Sequence, residues 1–334
     1  MRSLSRRETL ALAATPWLTA AAPRSIDEQG FVPIGGIEQW ISVKGADAAS
    51  PLILFLHGGP GEAPSPFLDL FQPYEQDFTL ALWDQRGAGK TFGRSGGRST
   101  PGMDQERFVQ DGIEVAEHLR RRFAKSRIVL VGHSWGAALG LRIAKRRPDL
   151  FHAMVGTGQP VSQARAVLSQ ERFARETYQR NGDTEALKAL DAVTSLPPTD
   201  PKRRFATRKV LFGADDKRFL AREDAFMGPK PWPITGEAAD WIGGYTFTSE
   251  VLVPKILGHE VIDEIGLDLP LPFVVIQGRD DLICPTDVAH DYLMQVKAPA
   301  KAYAEIPGGH FACYTTPEDF LAALRRHVRP LCGA

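Results

Sequence analysis

The sequence predicts an α/β fold, in which helices cover both faces of a mostly parallel sheet. Continuous apolar runs at 52–56, 78–83, 127–131 and 273–276 are typical of strands that are buried on both faces. Segments with apolar residues at helical spacing lie between them, as at 108–123. This alternation of strand and helix indicates parallel strands joined by helical crossovers.

Weaker patterns complete the predicted sheet. Apolar residues alternate from Ile37 to Val43, which predicts an early edge strand. Short apolar runs predict two further strands at 153–155 and 302–306, and a helix is expected over 317–328. The sheet is therefore expected to extend to the last part of the chain.

The middle of the chain has a different pattern from the core segments 31–158 and 268–331. Residues 159–267 contain no comparable strand run and carry three charged, helix-like segments, at 161–180, 183–193 and 202–212. We expect these residues to form a helical lid inserted into the core.

The end of this predicted lid is rich in aromatic residues, and their role has two interpretations. They either pack inside the lid or form an apolar wall of a substrate pocket. The residues concerned are Pro231-Trp232-Pro233, Trp241, Tyr245 and Phe247.

A glycine-flanked serine lies between a predicted strand and a predicted helix. Gly132-His133-Ser134-Trp135-Gly136 follows the strand at 127–131 and precedes a helix expected over 137–147. The pattern G-x-S-x-G in this setting is the nucleophile elbow, whose sharp turn exposes the serine hydroxyl above the sheet. Ser134 is therefore the candidate nucleophile, and the Trp135 amide is a candidate oxyanion donor.

A serine hydroxyl needs a base, and the base needs a carboxylate that fixes its tautomer. In this architecture the acid and then the histidine follow the serine along the chain. Asp281 lies in the loop after the strand at 273–276, and His310 lies in the loop after the strand at 302–306. Asp280 competes with Asp281, but the spacing G-x-x-D from Gly278 favours Asp281.

The other histidines are weaker candidates for the base. His57 lies in the glycine loop 57–61, where a structural role is expected. His133 is expected to point away from His310. The second oxyanion donor is expected from the same glycine loop, and Gly59 is the candidate because its backbone is unobstructed.

Composition excludes several other functions. Lysine and arginine total 40, which equals the 40 aspartates and glutamates, and no long basic tract indicates nucleic-acid binding. No H-E-x-x-H or C-x-x-C spacing occurs, so neither a metal nor another cofactor is expected. Gly87-Ala88-Gly89-Lys90-Thr91 resembles a phosphate loop but has Asp84 where that loop requires glycine. We expect a structured turn there, with Asp84 and Arg86 bonded to local backbone.

The first 23 residues have the order of a signal peptide. Arg2, Arg6 and Arg7 precede an apolar stretch that ends in small residues. Ser5-Arg6-Arg7-Glu8-Thr9-Leu10 resembles a twin-arginine signal, which predicts a periplasmic or secreted protein, with a cytoplasmic enzyme as the alternative. The apolar stretch is too short for a stable membrane span.

The three cysteines, Cys284, Cys313 and Cys332, do not suggest a disulfide framework. A bridge between Cys284 and Cys313 is conceivable, but buried thiols are expected. The sequence leaves the oligomeric state open.

Three motifs together resemble the proline iminopeptidase family of α/β-hydrolases. They are His57-Gly-Gly-Pro-Gly61, Trp83-Asp-Gln-Arg-Gly-Ala-Gly-Lys90 and the elbow at Ser134. The resemblance implies an α/β-hydrolase fold and a serine aminopeptidase that releases N-terminal proline and related residues. It also implies lid glutamates that hold the free amine of the substrate. The available acids match no motif, and each is also typical of a helix surface; they are Glu171, Glu176, Glu223, Asp224 and Glu237.

The sequence therefore predicts a serine hydrolase that cleaves an amide or ester through an acyl-enzyme, with Ser134, His310 and Asp281 as the triad. A small molecule or a short peptide is the expected substrate. An esterase, lactonase or amidase with the same triad is the alternative. A catalytically inactive, ligand-binding hydrolase fold belongs to a third class, which the intact triad disfavours.

Overall fold

The computed structural model describes residues 24–213, 236–258 and 260–333, and its central feature is an eight-stranded sheet. The strands lie in the order β1-β2-β4-β3-β5-β6-β7-β8. The pairs β1–β2 and β2–β4 are antiparallel, and all pairs from β4 across the sheet to β8 are parallel. Their bounds are β1 (Ile26–Ile34), β2 (Ile37–Gly45), β3 (Leu52–Leu56), β4 (Thr79–Trp83), β5 (Ile128–His133), β6 (Phe151–Thr157), β7 (Phe273–Gly278) and β8 (Lys301–Ile306).

The strand at 37–43 was expected at the edge of the sheet, and this expectation is wrong. β2 lies between β1 and β4, and β1 is the edge strand. Gly35 and Gly36, with φ of 58° and 78°, form the tight turn between β1 and β2. Polar residues occur on both faces of β1, with Asp27 and Gln29 on the exposed face and Glu28 on the other, so its sequence carries little hydrophobic signal.

Eleven α-helices are described in these residue ranges. Their bounds are α1 (Gly89–Arg94), α2 (Gln105–Arg122), α3 (Trp135–Arg146), α4 (Gln163–Asn181), α5 (Thr184–Val193), α6 (Pro201–Gly213), α7 (Gly236–Ile256), α8 (Val261–Ile265), α9 (Thr286–Gln295), α10 (Ala312–Thr315) and α11 (Pro317–His327). Short 3₁₀ segments also occur, the longest at Ser65–Gln76.

Alternate side chains of β3 belong to two separate apolar clusters, because they point to opposite faces of the sheet. Leu54 packs in a cluster with Phe108 of α2 and Leu139 of α3. Phe55 packs in the other cluster with Phe71 and Phe320. Helices therefore cover both faces, as the sequence predicts.

Helices α4 to α8 lie between β6 and β7, and we call the described residues of 158–272 the helical insertion. Its described residues are mostly helical, and its division from the core at 159–267 stays a prediction. The insertion contacts the core through α7, where Trp241 Nε1 donates to the Ala63 carbonyl at 3.0 Å and Thr248 Oγ1 donates to the Gly87 carbonyl at 2.8 Å. Its function as a lid stays a prediction.

The turn at 84–91 is held by a buried carboxylate. Asp84 accepts from the amides of Ser65, at 3.2 Å, and Lys90, at 2.8 Å, and burial raises its pKa to about 7. Arg86 does not bond local backbone as expected. Its guanidinium pairs with buried Asp111, with Nε 2.7 Å from Oδ2, because the turn points this side chain at α2.

Two other expectations concern the termini and the cysteines. Cys284, Cys313 and Cys332 are all free thiols, so the conceivable Cys284–Cys313 bridge is absent. No helix in the described ranges is long and apolar enough to cross a membrane. The expected signal segment 1–23 and the motif at 231–233 lie outside the described residues.

Candidate active site

Ser134 occupies a strained turn between β5 and α3. Its φ of 53° and ψ of −118° are unusual for a non-glycine residue. A Cβ on Gly132 would lie 2.3 Å from the Gly136 carbonyl oxygen, and a Cβ on Gly136 would lie 2.1 Å from that of Leu56. Both positions therefore require glycine, and the pattern G-x-S-x-G follows from this close packing.

Asp281 is buried in the loop after β7 and accepts four hydrogen bonds. Its Oδ1 accepts from the amides of Ile283, at 2.9 Å, and Cys284, at 2.8 Å. Its Oδ2 accepts from Gln277 Nε2 at 2.8 Å and lies 3.0 Å from His310 Nδ1. These four contacts fix the orientation of the carboxylate. The neighbouring Asp280 is exposed.

His310 is buried in the loop after β8, with its Nδ1 directed at Asp281. Since a carboxylate only accepts, Nδ1–H is the donor, which makes Nε2 the ring atom suited to act as the base. The two loops are joined through backbone, because the Arg279 amide donates to the Ile306 carbonyl and the Asp280 amide to the Gly308 carbonyl, both at 2.9 Å. Ser134 and His310 line the same cavity.

His133 lies against His310, and the expectation that it points away is wrong. Its Nε2 donates to the His310 carbonyl oxygen at 2.9 Å, and the two ring centroids are 4.8 Å apart. Complete burial lowers the pKa of His133 well below its usual range, so the ring is neutral. No sequence pattern signals this contact, because the second position of the elbow accepts many residue types.

The two candidate oxyanion donors, Gly59 and Trp135, line the cavity together with Ser134. Trp135 is the first residue of α3, and the first amides of a helix have no acceptor within it. The Trp135 indole Nε1 donates to Gln85 Oε1 at 3.0 Å, which fixes the side chain. Gly59 has a φ of 103°, a conformation that favours glycine.

His57 has the structural position that the sequence predicts. Its Nδ1 donates to the Gly58 carbonyl at 2.9 Å, and its Nε2 accepts from the Gln85 amide at 3.2 Å. Burial lowers its pKa to about 4, so the imidazole is neutral near pH 7. His57 therefore connects the glycine loop to the Gln85 turn and takes no place beside Ser134.

The cavity has a volume of about 360 Å³ and lies between the core and the helical insertion. Tyr245 lines the cavity, as expected if the aromatic residues form a pocket wall. Trp241 instead packs on Ala63, and Phe247 packs in the core, as expected if they serve packing.

The walls of the cavity are mostly aliphatic; they include Val161, Val167, Val253, Ile256, Leu257, Val261, Ile283 and Val288.

The acidic side chain in this cavity comes from the core. Glu62 lines the cavity one residue after the glycine loop, and its Oε2 lies 3.9 Å from His133 Nδ1. Glu171 instead accepts from Arg203 of α6 at 2.7 Å, and Glu176 is exposed. The position of Glu62 directly after Gly61 is a signal that sequence reasoning missed.

The other acids proposed for amine binding cannot be placed. Glu223 and Asp224 lie outside the described residues, and the side chain of Glu237 is not described. Among the described residues, no group of three histidine, cysteine, aspartate or glutamate side chains could hold a metal ion.

Comparison with known proteins agrees with this architecture. A family model described as the α/β-hydrolase fold matches residues 51–317. The chain belongs to the α/β-hydrolase family. This assignment covers the elbow and the Asp281 and His310 loops, and it confirms the predicted fold class.

Similar proteins include aminopeptidases. This α/β-hydrolase is 28% identical to a probable aminopeptidase of Bacillus subtilis, YbaC, over 92% of this chain and 98% of that protein. It is 26% identical to a proline iminopeptidase of Xanthomonas citri, over 82% of this chain and 87% of that protein. The crystal structure of a proline iminopeptidase from Mycobacterium smegmatis superposes with a TM-score of 0.63 at 21% identity, covering 91% of this chain and 99% of that chain.

Proposed function

We propose that this α/β-hydrolase cleaves amide or ester bonds with Ser134 as nucleophile and an acyl-enzyme as intermediate. The observation that carries the proposal is the 3.0 Å contact between Asp281 and His310, in the same cavity as a serine on a strained elbow. Nucleophile, base and orienting acid are the groups that this chemistry requires.

In the proposed reaction, His310 Nε2 takes the proton of the Ser134 hydroxyl as its oxygen attacks the substrate carbonyl. The amides of Gly59 and Trp135 stabilise the oxyanion that forms. The protonated His310 then gives its proton to the leaving group, and Asp281 stabilises the charged ring. A water molecule, activated by His310, hydrolyses the acyl-enzyme and restores Ser134.

Within this class, the preferred activity is that of an aminopeptidase similar to proline iminopeptidases. The names of similar proteins support it, and so does a carboxylate in the cavity. Glu62, which lines the cavity and lies near His133, is the described residue suited to hold the free amine of an N-terminal residue. Its location in the core differs from the lid glutamates that the family resemblance implies.

Covalent labelling tests the nucleophile. A fluorophosphonate probe should label the wild-type protein, and Ser134→Ala should abolish that labelling. Ser162→Ala is a matched control, because Ser162 also lines the cavity and its hydroxyl caps α4. Absence of labelling in the wild type, or equal labelling of the Ser134→Ala protein, would refute the mechanism.

A substrate panel tests the amine requirement. Proline and alanine p-nitroanilides should be hydrolysed faster than their N-acetylated forms. Glu62→Gln should reduce this preference by roughly ten- to hundredfold, which corresponds to one charged hydrogen bond. Equal rates for free and blocked amines would contradict the aminopeptidase proposal.

A second candidate is an esterase, lactonase or amidase that acts on a small non-peptide substrate. It is favoured by the positions of Glu171 and Glu176, since neither lines the cavity. Faster turnover of p-nitrophenyl esters than of all amino-acid p-nitroanilides would support it. Binding without turnover of any substrate would instead indicate an inactive hydrolase fold.

We also propose export of the protein through the twin-arginine-type signal in residues 1–23. The order of basic, apolar and small residues supports this proposal. Arg6→Lys with Arg7→Lys should leave the protein in the cytoplasm of a bacterial host, whereas the wild type should be found in the periplasm. Equal distribution of both proteins would contradict export by this route.

A further inference from the structure

Two arginines of the helical insertion line the cavity. Arg204 and Arg208 are four residues apart on α6, so their side chains leave the same face of that helix. Both are partly buried. A pair of like charges at this spacing is unfavourable in a helix unless something compensates it.

The orientation of α6 is fixed by two of its side chains, Arg203 and Thr207, which both contact Glu171. Arg203 donates to both oxygens of Glu171 on α4, at 2.7 and 2.5 Å, and Thr207 Oγ1 donates to the same carboxylate at 3.0 Å. The Arg203–Glu171 pair is buried. This anchoring directs Arg204 and Arg208 into the cavity.

The carboxylate near Arg208 already accepts hydrogen bonds from other groups. Asp281 is close enough to affect its pKa, but both Asp281 oxygens accept other hydrogen bonds. Nε of Arg208 is buried and has no hydrogen-bond partner among the described residues. Cys284, the other group near Arg208, remains a neutral thiol because burial raises its pKa.

Arg204 is compensated only in part. Its Nη1 donates to the neutral amide oxygen Gln163 Oε1 at 2.9 Å. The nearby Glu260 uses Oε1 to accept from the amides of Gln163 and Ala164, and its buried Oε2 has no hydrogen-bond partner among the described residues, so its charge offsets that of Arg204 without a direct bond. Burial lowers the pKa of Arg204 to about 10 and also lowers that of Arg208. The protein therefore holds two cations at a cost that a bound anion would reduce.

We propose that Arg204 and Arg208 bind a carboxylate of the substrate, and that the substrate class is a dipeptide-sized compound with a free carboxylate. The inference rests on the proposed hydrolase function and deepens it. A planar guanidinium donates two parallel hydrogen bonds that match a carboxylate. The cavity volume of about 360 Å³ suits a small ligand.

The charges of the cavity lie near different members of the triad. Glu62 lies near His133, whose ring contacts His310, whereas Arg208 lies near Asp281. A zwitterion could therefore bind with its amine toward Glu62 and its carboxylate toward Arg208. Its amide bond would then lie near Ser134.

Binding to the Ser134→Ala protein tests the carboxylate site without turnover. Calorimetry with L-prolyl-L-alanine and its C-terminal amide should give roughly ten- to hundredfold tighter binding of the free acid, as expected for a charged hydrogen bond. Arg208→Gln and Arg204→Gln should each reduce this ratio, and the double variant should remove it. Lys209→Gln, which changes an exposed cation on the same helix, should leave it unchanged.

Several outcomes would overturn the proposal. Equal affinity for acid and amide, no binding of either peptide, or an unchanged ratio in the Arg208→Gln, Arg204→Gln double variant would refute the carboxylate site. Tighter binding of inorganic phosphate than of the peptide acid would assign the arginines to another anion. Fluorophosphonate labelling of the wild type separates these failures, because it persists when only the substrate class is wrong and is lost when the hydrolase proposal is wrong.

Discussion

The ring of His133 packs against that of His310, and its Nε2 lies 2.9 Å from the His310 carbonyl oxygen. The bond holds the backbone of the loop that carries the proposed base. Within the described part of the chain, no hydrogen bond joins His133 to Asp281, so the effect of His133 on the reaction is through the position of His310. It is a positioning residue that the elbow motif alone does not reveal.

His133→Leu should lower kcat roughly tenfold and leave KM nearly unchanged, because it removes one hydrogen bond that positions His310. His133→Gln keeps an amide donor and should restore much of the rate. Steady-state kinetics over a range of pH distinguishes this role from general destabilisation. Equal losses in both variants, or a loss confined to KM, would argue against it.

Asp281→Asn should lower kcat by about 10⁴, because the amide favours the wrong tautomer of the base. Asp280→Asn is a neighbouring control on an exposed side chain, and its kcat/KM should stay within about threefold of the wild type. The same substrate and pH serve both measurements. The reverse ranking of the two variants would identify Asp280 as the acid.

Gly136→Ala should reduce soluble yield and the thermal midpoint strongly, because its Cβ would lie 2.1 Å from the Leu56 carbonyl oxygen. The contact is with backbone, so a side-chain rotation cannot relieve it. Gly30→Ala is the control, since a Cβ there would meet no atom within 4 Å. Thermal unfolding of both proteins checks the prediction, which fails when the two midpoints agree.

Glu171→Gln should lower the free energy of unfolding by about 3–5 kcal/mol, because it leaves the buried Arg203 guanidinium without its counterion. Asp191→Asn breaks the exposed pair with Arg175 and should cost less than about 1 kcal/mol. Denaturant unfolding measures both changes. A larger loss in Asp191→Asn would contradict the assignment of Glu171 as the anchor of α6.

The buried His57 should make the protein sensitive to acid. Its pKa falls from 6.5 to about 4 on folding, so the unfolded state binds more protons between these two values. Stability from this group is therefore present above pH 6.5 and is lost as the pH falls toward 4, by up to ~3 kcal/mol.

His57→Gln should remove this contribution. The unfolding free energy of the variant should therefore fall less steeply with decreasing pH, by a slope that corresponds to the uptake of up to one proton on unfolding. Urea unfolding of the wild type and the variant at pH 7 and pH 5 gives the comparison. Neutral His133, whose pKa is also lowered, remains in both proteins, so the difference between them reports His57. Parallel stability curves would contradict the prediction.

Much of the core could be predicted because its strands are continuous apolar runs. Ser134, Asp281 and His310 could each be located as well, since each follows such a run within a short glycine-containing motif. β1 escaped prediction because polar residues occur on both of its faces and its pairing with β2 depends on the turn at Gly35.

The residues that sequence reasoning missed depend on contacts between distant segments. His133 meets His310 across 177 positions. Glu62 could be suspected only from its place after Gly61. Arg208 reaches the cavity because α6 is anchored to α4, and helical periodicity alone does not state which face of α6 is turned inward.

The direct backbone bonds between the Asp281 and His310 loops have an evolutionary consequence. All groups proposed for bond cleavage lie on core strands and their loops, whereas Arg204 and Arg208 belong to the helical insertion. Mutations in the insertion can alter which molecules are accepted while the reacting groups keep their geometry. The two parts of the chain can therefore diverge at different rates, and one reaction centre can come to serve many substrates in related lineages.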